Sequence, residues 1–374
     1  MIIGSVSENK EIEKRISITP EIAKKYINLG FEVHLEQNYA EHIGFKDSEY
    51  SEIGVKISKN FKDIINNSNI ILQLGILDDD KISFFNENQT LIGVLNPYEN
   101  KDQIEKLKTK KVNLFSLEML PRITRAQSMD ILSSQANLAG YKAVIESFAA
   151  FEKAIPMMMT AAGTVPAAKV LIVGAGVAGL QAIATAKRMG AVVFATDVRI
   201  ASKEQVESLG GKFLIVEGSE NLETKGGYAK EASEDFKKKQ EDLLAETLKN
   251  IDIVICTALI PGKKAPTLIT EEHVKSMKPG SVIIDLAAEN GGNCVSTKLG
   301  ETAVVDGVSI YGASNITSSI SQDASALYSK NLFNFFNLLV NQESNQVDID
   351  WEDEIVVNTL ITKDGKIIKE EFMK

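Results

Sequence analysis

Three glycines and one aspartate carry the clearest chemical signal in the sequence. Gly174, Gly176 and Gly179 have G-x-G-x-x-G spacing directly after the apolar run 170–173, and Asp197 ends the next apolar run. Such glycines allow a tight turn and let a pyrophosphate approach the amino end of the following helix. A carboxylate about 20 residues further on accepts hydrogen bonds from the ribose hydroxyls of NAD and repels a 2'-phosphate. The spacing predicts a nucleotide site; the alternative is a glycine-rich turn without a ligand.

Arg199 lies two residues beyond this acid. An arginine at this place can accept the 2'-phosphate of NADP, but next to an acid it can instead cover the adenine or the pyrophosphate of NAD. We expect NAD to be the cofactor, with Arg199 among its contacts, and NADP is the alternative.

The segments that must position these residues alternate between short apolar runs and helical stretches, which is typical of an open parallel sheet. We predict an α/β protein of two domains, each an open, mainly parallel sheet, the second being a Rossmann dinucleotide-binding fold. The predicted N-terminal domain spans 1–125 and is completed by 325–374, a linking helix spans 126–150, and the Rossmann domain spans 151–324. The predicted strands include 31–35, 70–74, 90–95, 112–116, 170–173, 212–216, 251–256, 281–285 and 308–311.

Composition limits the class of protein. The chain has 374 residues, and its formal net charge of -10 argues against nucleic acid or an anionic membrane surface as a partner. Its start lacks the pattern of a secretory signal, and no stretch of about 20 residues is apolar enough for a membrane helix. The two cysteines, Cys256 and Cys294, favour neither a disulfide framework nor a metal site. We expect a cytoplasmic protein that does not itself insert into a membrane.

Two stretches depart from the α/β pattern. Residues 217–240 are polar, and such a long polar excursion inside a compact fold predicts a lid over a site. Met157, Met158 and Met159 precede the first strand of the second domain, and we expect them to pack in core and loop rather than to bind a ligand.

Several further runs resemble one known family, the NAD-binding alpha subunits of proton-translocating NAD(P) transhydrogenases. The runs are 122–130, 156–164, 257–262 and 285–294, and the likeness covers nearly the whole chain. Alanine dehydrogenases are related to the same fold and resemble this chain from Met1 through the element 15–20 and the Rossmann half.

The resemblance implies particular site residues. Arg122, Gln127, Asp130 and Ser133 would be catalytic residues beside the nicotinamide of NAD, with Gln127 extending toward NADP on a partner; alternatively they only cap and solvate the linking helix. Tyr228 would lie at the tip of a mobile loop that closes over the nucleotide, or else be an exposed tyrosine on a turn. The implied cofactor contacts are Gly174, Gly176, Val177, Ala178, Gly179, Asp197, Arg199, Tyr228, Ala258 and Leu259.

The resemblance also separates the two enzyme families by chemistry. Alanine dehydrogenases use a lysine and a histidine in the first domain, where this sequence has Gln73 and Asn96 and retains only Arg15. Direct transfer of a hydride between two nicotinamides needs no such proton-handling groups. We therefore expect NADH to bind here and NADP+ on a partner subunit, with proton translocation carried out by separate membrane-spanning subunits.

The family further implies a homodimer held at the periphery of the inner membrane by those partners. Two other interpretations of the sequence stay open. One is a stand-alone oxidoreductase similar to alanine dehydrogenase, and the other is a protein that binds NAD without turnover.

Overall fold

The computed structural model describes residues 1–216, 233–260, 263–341, 343–344 and 346–369. The chain divides into two compact units. Unit 1 comprises Met1–Gln135 and Ser318–Lys374, and unit 2 comprises Ala136–Thr317. Because the helix that joins them crosses the boundary at Gln135, it contributes residues to both units.

The beginning of unit 1 alternates strands and helices, as its sequence pattern predicts. Its strands are β1 (Ile2–Ser5), β2 (Glu32–Glu36), β3 (Lys56–Ser58), β4 (Ile70–Leu72), β5 (Thr90–Gly93) and β6 (Asn113–Ser116). Its helices are α1 (Pro20–Asn28), α2 (Asp47–Glu52), α3 (Phe61–Asn67), α4 (Asp79–Ile82) and α5 (Lys101–Thr109).

The joining helix α6 (Ile131–Ala150) begins later than the predicted position 126. Thr124–Met129 form a 3-10 turn instead, with Ala126 and Met129 buried in the core of unit 1. Burial of these two side chains holds the segment in place without α-helical hydrogen bonds.

Unit 2 continues with a hairpin and then a second alternating series. Its strands are β7 (Met158–Thr160), β8 (Gly163–Val165), β9 (Lys169–Val173), β10 (Val192–Thr196), β11 (Lys212–Phe213), β12 (Ile253–Cys256), β13 (Val282–Asp285), β14 (Thr302–Val305) and β15 (Val308–Gly312). Its helices are α7 (Val177–Arg188), α8 (Ser202–Ser208), α9 (Glu234–Leu248) and α10 (Glu271–Ser276).

The chain then returns to unit 1. The returning segment contains α11 (Ser321–Phe336), β16 (Val340–Asn341), β17 (Gln346–Val347), α12 (Glu354–Thr359), β18 (Leu360–Lys363) and β19 (Lys366–Ile367). Tyr328, Leu332 and Phe335 on one side of α11 are buried in the core of unit 1. The late helix thus supplies core side chains to a unit that begins more than 300 residues earlier in the chain.

Within the described residues, the sheet of unit 1 has the order β19-β18-β6-β5-β4-β1-β2-β3. Strands β1 to β6 are parallel, and β18 adds antiparallel to β6. The predicted open, mainly parallel sheet is confirmed.

The main sheet of unit 2 has the order β11-β10-β9-β12-β13-β15-β14, again within the described residues. All its pairs are parallel except β14 with β15. The chain runs outward from β9 to β11 and then crosses to β12 on the other side of β9. This reversal is the switch point at which Rossmann folds bind dinucleotides, so the predicted fold class is confirmed.

The continuous apolar runs of the unit 2 strands follow from burial on both faces. Val170 and Ile172 of β9 pack with Ala182 and Ile183 of α7 in one core cluster. Leu171 and Val173 of the same strand pack with Leu244 and Leu248 of α9 in another.

The prediction that Met157, Met158 and Met159 pack in core and loop is wrong. The hairpin β7–β8 forms its own two-stranded sheet, and these methionines have exposed fractions of 61%, 43% and 77%. No periodicity in this stretch of the sequence indicates such exposure.

Candidate nucleotide site

The glycine turn follows β9 directly. The Gly174 N–H donates to the Thr196 carbonyl (2.9 Å), which places the turn next to the end of β10. Gly174 has φ of +96°, and a Cβ here would lie 2.8 Å from Thr257 Oγ1. Both the left-handed backbone and the close neighbour therefore require glycine.

The other two glycines differ in what surrounds them. A Cβ on Gly179 would lie 1.9 Å from the Gly174 carbonyl oxygen, so this position permits α7 to pack against the turn. Among the described residues, no atom would lie within 4 Å of a Cβ on Gly176. Gly176 is thus dispensable for packing, and it leaves open space at the amino end of α7.

Val177, Ala178 and Gly179 form the first turn of α7, after Gly176 as N-cap. The first N–H groups of an α-helix have no acceptor within the helix and carry the positive end of its dipole. This end of the helix can therefore bind an anion such as a pyrophosphate.

Asp197 follows β10 and lies against the glycine turn. Its Oδ2 accepts from the Ala175 N–H (2.7 Å), and its Oδ1 accepts from the Arg199 N–H (2.8 Å). The Arg199 guanidinium donates to both carboxylate oxygens, from Nε to Oδ1 (2.9 Å) and from Nη2 to Oδ2 (2.8 Å). Arg199 thus hydrogen-bonds to Asp197. Ribose hydroxyls that donate to this carboxylate must replace hydrogen bonds that the guanidinium now makes.

The segment after β12 completes this edge of the sheet. The Thr257 N–H donates to the Val173 carbonyl (2.8 Å), and Thr257 Oγ1 donates to the Gly174 carbonyl (2.8 Å). Ala258 is half-buried and Leu259 is exposed. The structure therefore brings Ala258 beside the glycine turn and Asp197, at the carboxyl ends of β9, β10 and β12.

One glycine outside the predicted set also belongs to this arrangement. A Cβ on Gly140 of α6 would lie 2.0 Å from the Ala178 carbonyl oxygen. Gly140 therefore allows the backbone of α6 to approach the first turn of α7. An isolated glycine in a helix indicates close backbone packing, but its partner cannot be identified from sequence.

Tyr228 and most of the predicted lid, residues 217–232, lie outside the described residues. The end of that polar stretch begins α9 at Glu234, where the Ser233 side chain accepts from the Phe236 N–H as N-cap.

In unit 1, the structure brings together two of the four predicted catalytic residues. Asp130 precedes α6, and its Oδ1 accepts from the Ser133 N–H (2.9 Å) while its Oδ2 accepts from Ser133 Oγ (2.5 Å). This is a helix cap, and it fixes both side chains. The catalytic role of the four residues stays a prediction. Arg122 and Gln127 lie on the same segment and are exposed.

This segment is held by the returning part of the chain. Asn331 and Asn334 of α11 each donate from Nδ2 to the Ser128 carbonyl (2.9 Å). Arg125 Nη1 pairs with Asp353 Oδ2 (2.5 Å), and this ion pair lowers the pKa of Asp353 from its ordinary value. The backbone around Gln127 is therefore anchored on both sides while the Gln127 side chain remains accessible.

Two of the positions that correspond to the substrate site of alanine dehydrogenases form hydrogen bonds within unit 1. Gln73 is fully buried; its Oε1 accepts from Ser5 Oγ and from the Val6 N–H (both 2.9 Å), and its Nε2 donates to the Val6 carbonyl (3.1 Å) and to Glu8 Oε1 (3.0 Å). Arg15 donates from Nε and Nη2 to Glu13 (2.9 and 2.7 Å) and from Nη1 to Gln135 (2.9 Å).

Asn96, the third such position, is exposed and has φ of +44°. Asparagine tolerates this left-handed conformation better than most residues. An exposed amide and a fully bonded buried amide cannot perform the proton transfers of a lysine and a histidine, since neither titrates near neutral pH.

The described residues of unit 2 fit a dinucleotide. They offer open space at Gly176, unpaired donors at the start of α7 and a carboxylate at the end of β10. Together with the strand order, these features define a two-unit α/β protein whose second unit is a Rossmann dinucleotide-binding fold.

Comparison with known proteins gives the family. Residues 4–139 match the N-terminal domain of alanine dehydrogenase/PNT, and residues 143–370 match its C-terminal domain. The chain is 48% identical over 375 residues to the first segment of NAD(P) transhydrogenase subunit alpha from Rhodospirillum rubrum, and 98% of each chain is covered. It is 26% identical over 382 residues to an alanine dehydrogenase of Methanococcus maripaludis, covering 100% of this chain and 96% of that one.

A solved structure is similar over the same length. The crystal structure of transhydrogenase from Sinorhizobium meliloti has a TM-score of 0.86 at 41% identity, covering 99% of this chain and 100% of that one. The chain belongs to the alanine dehydrogenase/PNT family, and its similarity to transhydrogenase alpha subunits is much higher than to alanine dehydrogenases. The predicted membership of this family of oxidoreductases is confirmed. Among the described residues, no helix is long and apolar enough to cross a membrane.

Proposed function

We propose that this chain is the NAD(H)-binding subunit of a proton-translocating NAD(P) transhydrogenase. It passes a hydride directly from NADH to NADP+ held by a partner subunit, and separate membrane-spanning subunits couple the transfer to proton movement. The observation that carries the proposal is the contrast between the two units. Unit 2 has the geometry of a dinucleotide site, whereas Gln73 and Asn96 replace the proton-handling groups in unit 1.

The residues of unit 2 bind and orient the nucleotide. The start of α7, with Val177, Ala178 and Gly179, faces the pyrophosphate across the space left by Gly176. Asp197 accepts from the adenosine ribose, and Arg199 moves off the carboxylate to lie over the adenine or the pyrophosphate. A nucleotide with a 2'-phosphate has no 2'-hydroxyl to donate, and this favours NAD over NADP at this site.

The residues of unit 1 supply the catalytic segment that the resemblance implies. The Asp130–Ser133 contact holds the start of α6, and the exposed Arg122 and Gln127 are accessible to nucleotides. The bound nicotinamide itself supplies the hydride. The protein then has to orient the hydride donor and to exclude water. Because no proton is transferred to or from the protein, the proposed reaction needs no general base.

We place the subunit at the cytoplasmic side of the inner membrane, attached through its partner subunits. We further propose that it forms a homodimer. The exposed methionines of the β7–β8 hairpin support an interaction surface, because exposed apolar patches on soluble proteins commonly mark contacts with other proteins.

The proposal is tested by mixing the purified chain with the NADP-binding subunit of a transhydrogenase and following reduction of acetylpyridine-NAD by NADPH. We expect turnover that requires both proteins. Turnover with NADH, pyruvate and ammonium without a partner would instead show an alanine dehydrogenase. NADH binding without transfer in either assay would show a protein that only binds the nucleotide.

A further inference from the structure

Asn293 is a fully buried amide whose polar atoms all contact backbone groups. Its Oδ1 accepts from the Ala258 N–H (3.0 Å), and its Nδ2 donates to the Ala258 carbonyl (2.9 Å) and to the Pro266 carbonyl (2.8 Å). One side chain thus holds both peptide groups of Ala258, the residue that lies beside the glycine turn.

Asn293 is itself held rigidly. Its N–H donates to Asp285 Oδ2 (2.7 Å), and its carbonyl accepts from the N–H groups of Leu268 (2.8 Å) and Ile269 (2.9 Å). The carboxylate of Asp285, at the end of β13, is fully buried and also accepts from Thr297 Oγ1 (2.6 Å). The anchor therefore extends from β13 through Asn293 to the segment after β12.

This network constrains how Ala258 contacts a nucleotide. Because its N–H and carbonyl are both bonded to Asn293, Ala258 presents only its Cα and Cβ as a contact surface. The adjacent Thr257 hydroxyl is bonded to the Gly174 carbonyl, so displacement of Ala258 would also disturb the turn.

The strand order indicates which half of the dinucleotide is affected. Asp197 follows β10 on one side of β9, whereas Ala258 and Asn293 follow β12 and β13 on the other side. A dinucleotide in a Rossmann fold lies across the switch point, with its adenosine half toward the acid. The segment after β12 therefore lies toward the nicotinamide half.

We propose that Asn293 is a positioning residue for the nicotinamide half of bound NAD(H), acting through the backbone of Ala258. This inference rests on the proposed NAD(H) site in unit 2. It adds a residue that contacts no part of the nucleotide itself. Asn293 lies in the run 285–294 that carries the family resemblance, but that run does not indicate its contact with Ala258.

The test compares NADH with 5'-AMP, which has only the adenosine half, by isothermal titration calorimetry on the full chain. The variants are Asn293→Ala, which removes all three side-chain hydrogen bonds, and Asn293→Asp, which keeps the acceptor but loses both donors. The control is Val308→Ala, which leaves a cavity in the core. Val308 is buried at the amino end of β15, whereas the proposed site lies at the carboxyl ends of the strands of the same sheet.

We expect both Asn293 variants to bind NADH about tenfold more weakly and 5'-AMP within about twofold of the parent. Val308→Ala should lower the Tm without changing either affinity. Equal weakening of the two ligands, or unchanged NADH affinity in folded Asn293 variants, would overturn the inference. If the parent chain fails to bind NADH, the proposed function itself is contradicted.

If neither Asn293 variant folds, Thr297→Val takes their place, because it removes one donor to Asp285 and leaves the amide intact. The expected result is a loss of about threefold for NADH alone. A loss shared with 5'-AMP, or no loss, would overturn the inference in the same way.

Discussion

Both sheets have polar residues at the carboxyl ends of their parallel strands. In unit 1 some of these residues hydrogen-bond to one another, whereas in unit 2 they border open space. In unit 1, Glu8, Gln73 and Asn96 follow β1, β4 and β5, and the Gln73 amide bonds to Ser5, Val6 and Glu8. In unit 2, Gly174 and Asp197 follow β9 and β10, and no atom of the residues that the structure describes lies within 4 Å of a Cβ placed on Gly176.

The comparison shows what distinguishes a ligand site from a structural polar cluster. Buried polar groups that fully satisfy one another hold strand ends together and cannot accept a ligand without losing those hydrogen bonds. Arg15 illustrates this, because Glu13 and Gln135 occupy a guanidinium that would otherwise suit a substrate carboxylate. The unit 2 site differs in having open space next to the backbone N–H donors at the start of α7.

The largest expected effect separates two glycines of that site. Gly176→Val should weaken NADH binding at least about 100-fold, because the side chain fills the space of the pyrophosphate. The free energy of unfolding of this variant should fall by only about 1 kcal/mol, because valine is a poorer N-cap residue than glycine. Gly179→Ala should lower stability much more, since its Cβ would lie 1.9 Å from the Gly174 carbonyl oxygen. Normal NADH affinity in Gly176→Val, measured by fluorescence titration, would exclude this turn as the site.

Asp197→Ala is the next test of the unit 2 site. Loss of a charged acceptor for the ribose hydroxyls should weaken NADH and 5'-AMP alike by about 10- to 100-fold. Asp252→Ala is a matched control, because Asp252 lies at the amino edge of the same sheet and accepts from the Lys169 N–H (2.9 Å). If the two variants weaken NADH equally, the carboxylate has no specific role in binding.

Gln127→Ala tests whether the segment of unit 1 takes part in the reaction. The exposed side chain contributes little to the fold, so the Tm and the affinity for NADH should be unchanged. The rate of hydride transfer to partner-bound NADP+ should fall about tenfold, the effect of a lost contact in the transition state. Ser128→Ala, an exposed neighbour, serves as the control; an identical rate in both variants would leave Gln127 without a catalytic role.

The smallest expected effect concerns the polar cluster of unit 1. Burial raises the pKa of Glu8 from 4.5 to about 7, although the Leu74 N–H opposes the shift and Glu13 adds to it. The folded state therefore prefers the protonated carboxyl, and the protein loses stability as the pH rises from 4.5 to about 7.

Glu8→Gln removes this pH dependence and keeps an acceptor for Gln73 and Leu74. Relative to the parent chain, the variant should gain on the order of 2–3 kcal/mol between pH 5 and pH 8, measured by urea unfolding. A stability difference that does not change with pH would show that Glu8 titrates normally in the folded state.

Much of the fold was predictable because its signals are local. The apolar runs that became β9, β12 and β13 are buried on both faces, and the glycine spacing with Asp197 identified the turn and the adjacent strand end. The antiparallel β14 was missed, and the strand predicted over 212–216 pairs only at Lys212 and Phe213. Short edge strands have few pairing and packing requirements and leave a weak pattern.

The parts that sequence could not supply depend on contacts between distant segments. The placement of Arg199 on Asp197 depends on a rotamer, and the approach of Gly140 to Ala178 depends on helix packing. Asn293 lies 35 residues from Ala258, and although both lie in runs that the sequence analysis singled out, no pattern indicates their hydrogen bonds. The exposure of Met157, Met158 and Met159 contradicts their apolar character, because a small two-stranded sheet has no core of its own.

The most direct test of direct hydride transfer uses NADH dideuterated at C4, with the chain, its NADP-binding partner and NADP+ in ordinary water. If the hydride passes from one nicotinamide to the other, each NADPH formed should contain one deuterium, as measured by mass spectrometry. NADPH that carries hydrogen from solvent would contradict direct transfer, because the two electrons would then pass through an intermediate carrier whose hydrogen exchanges with water.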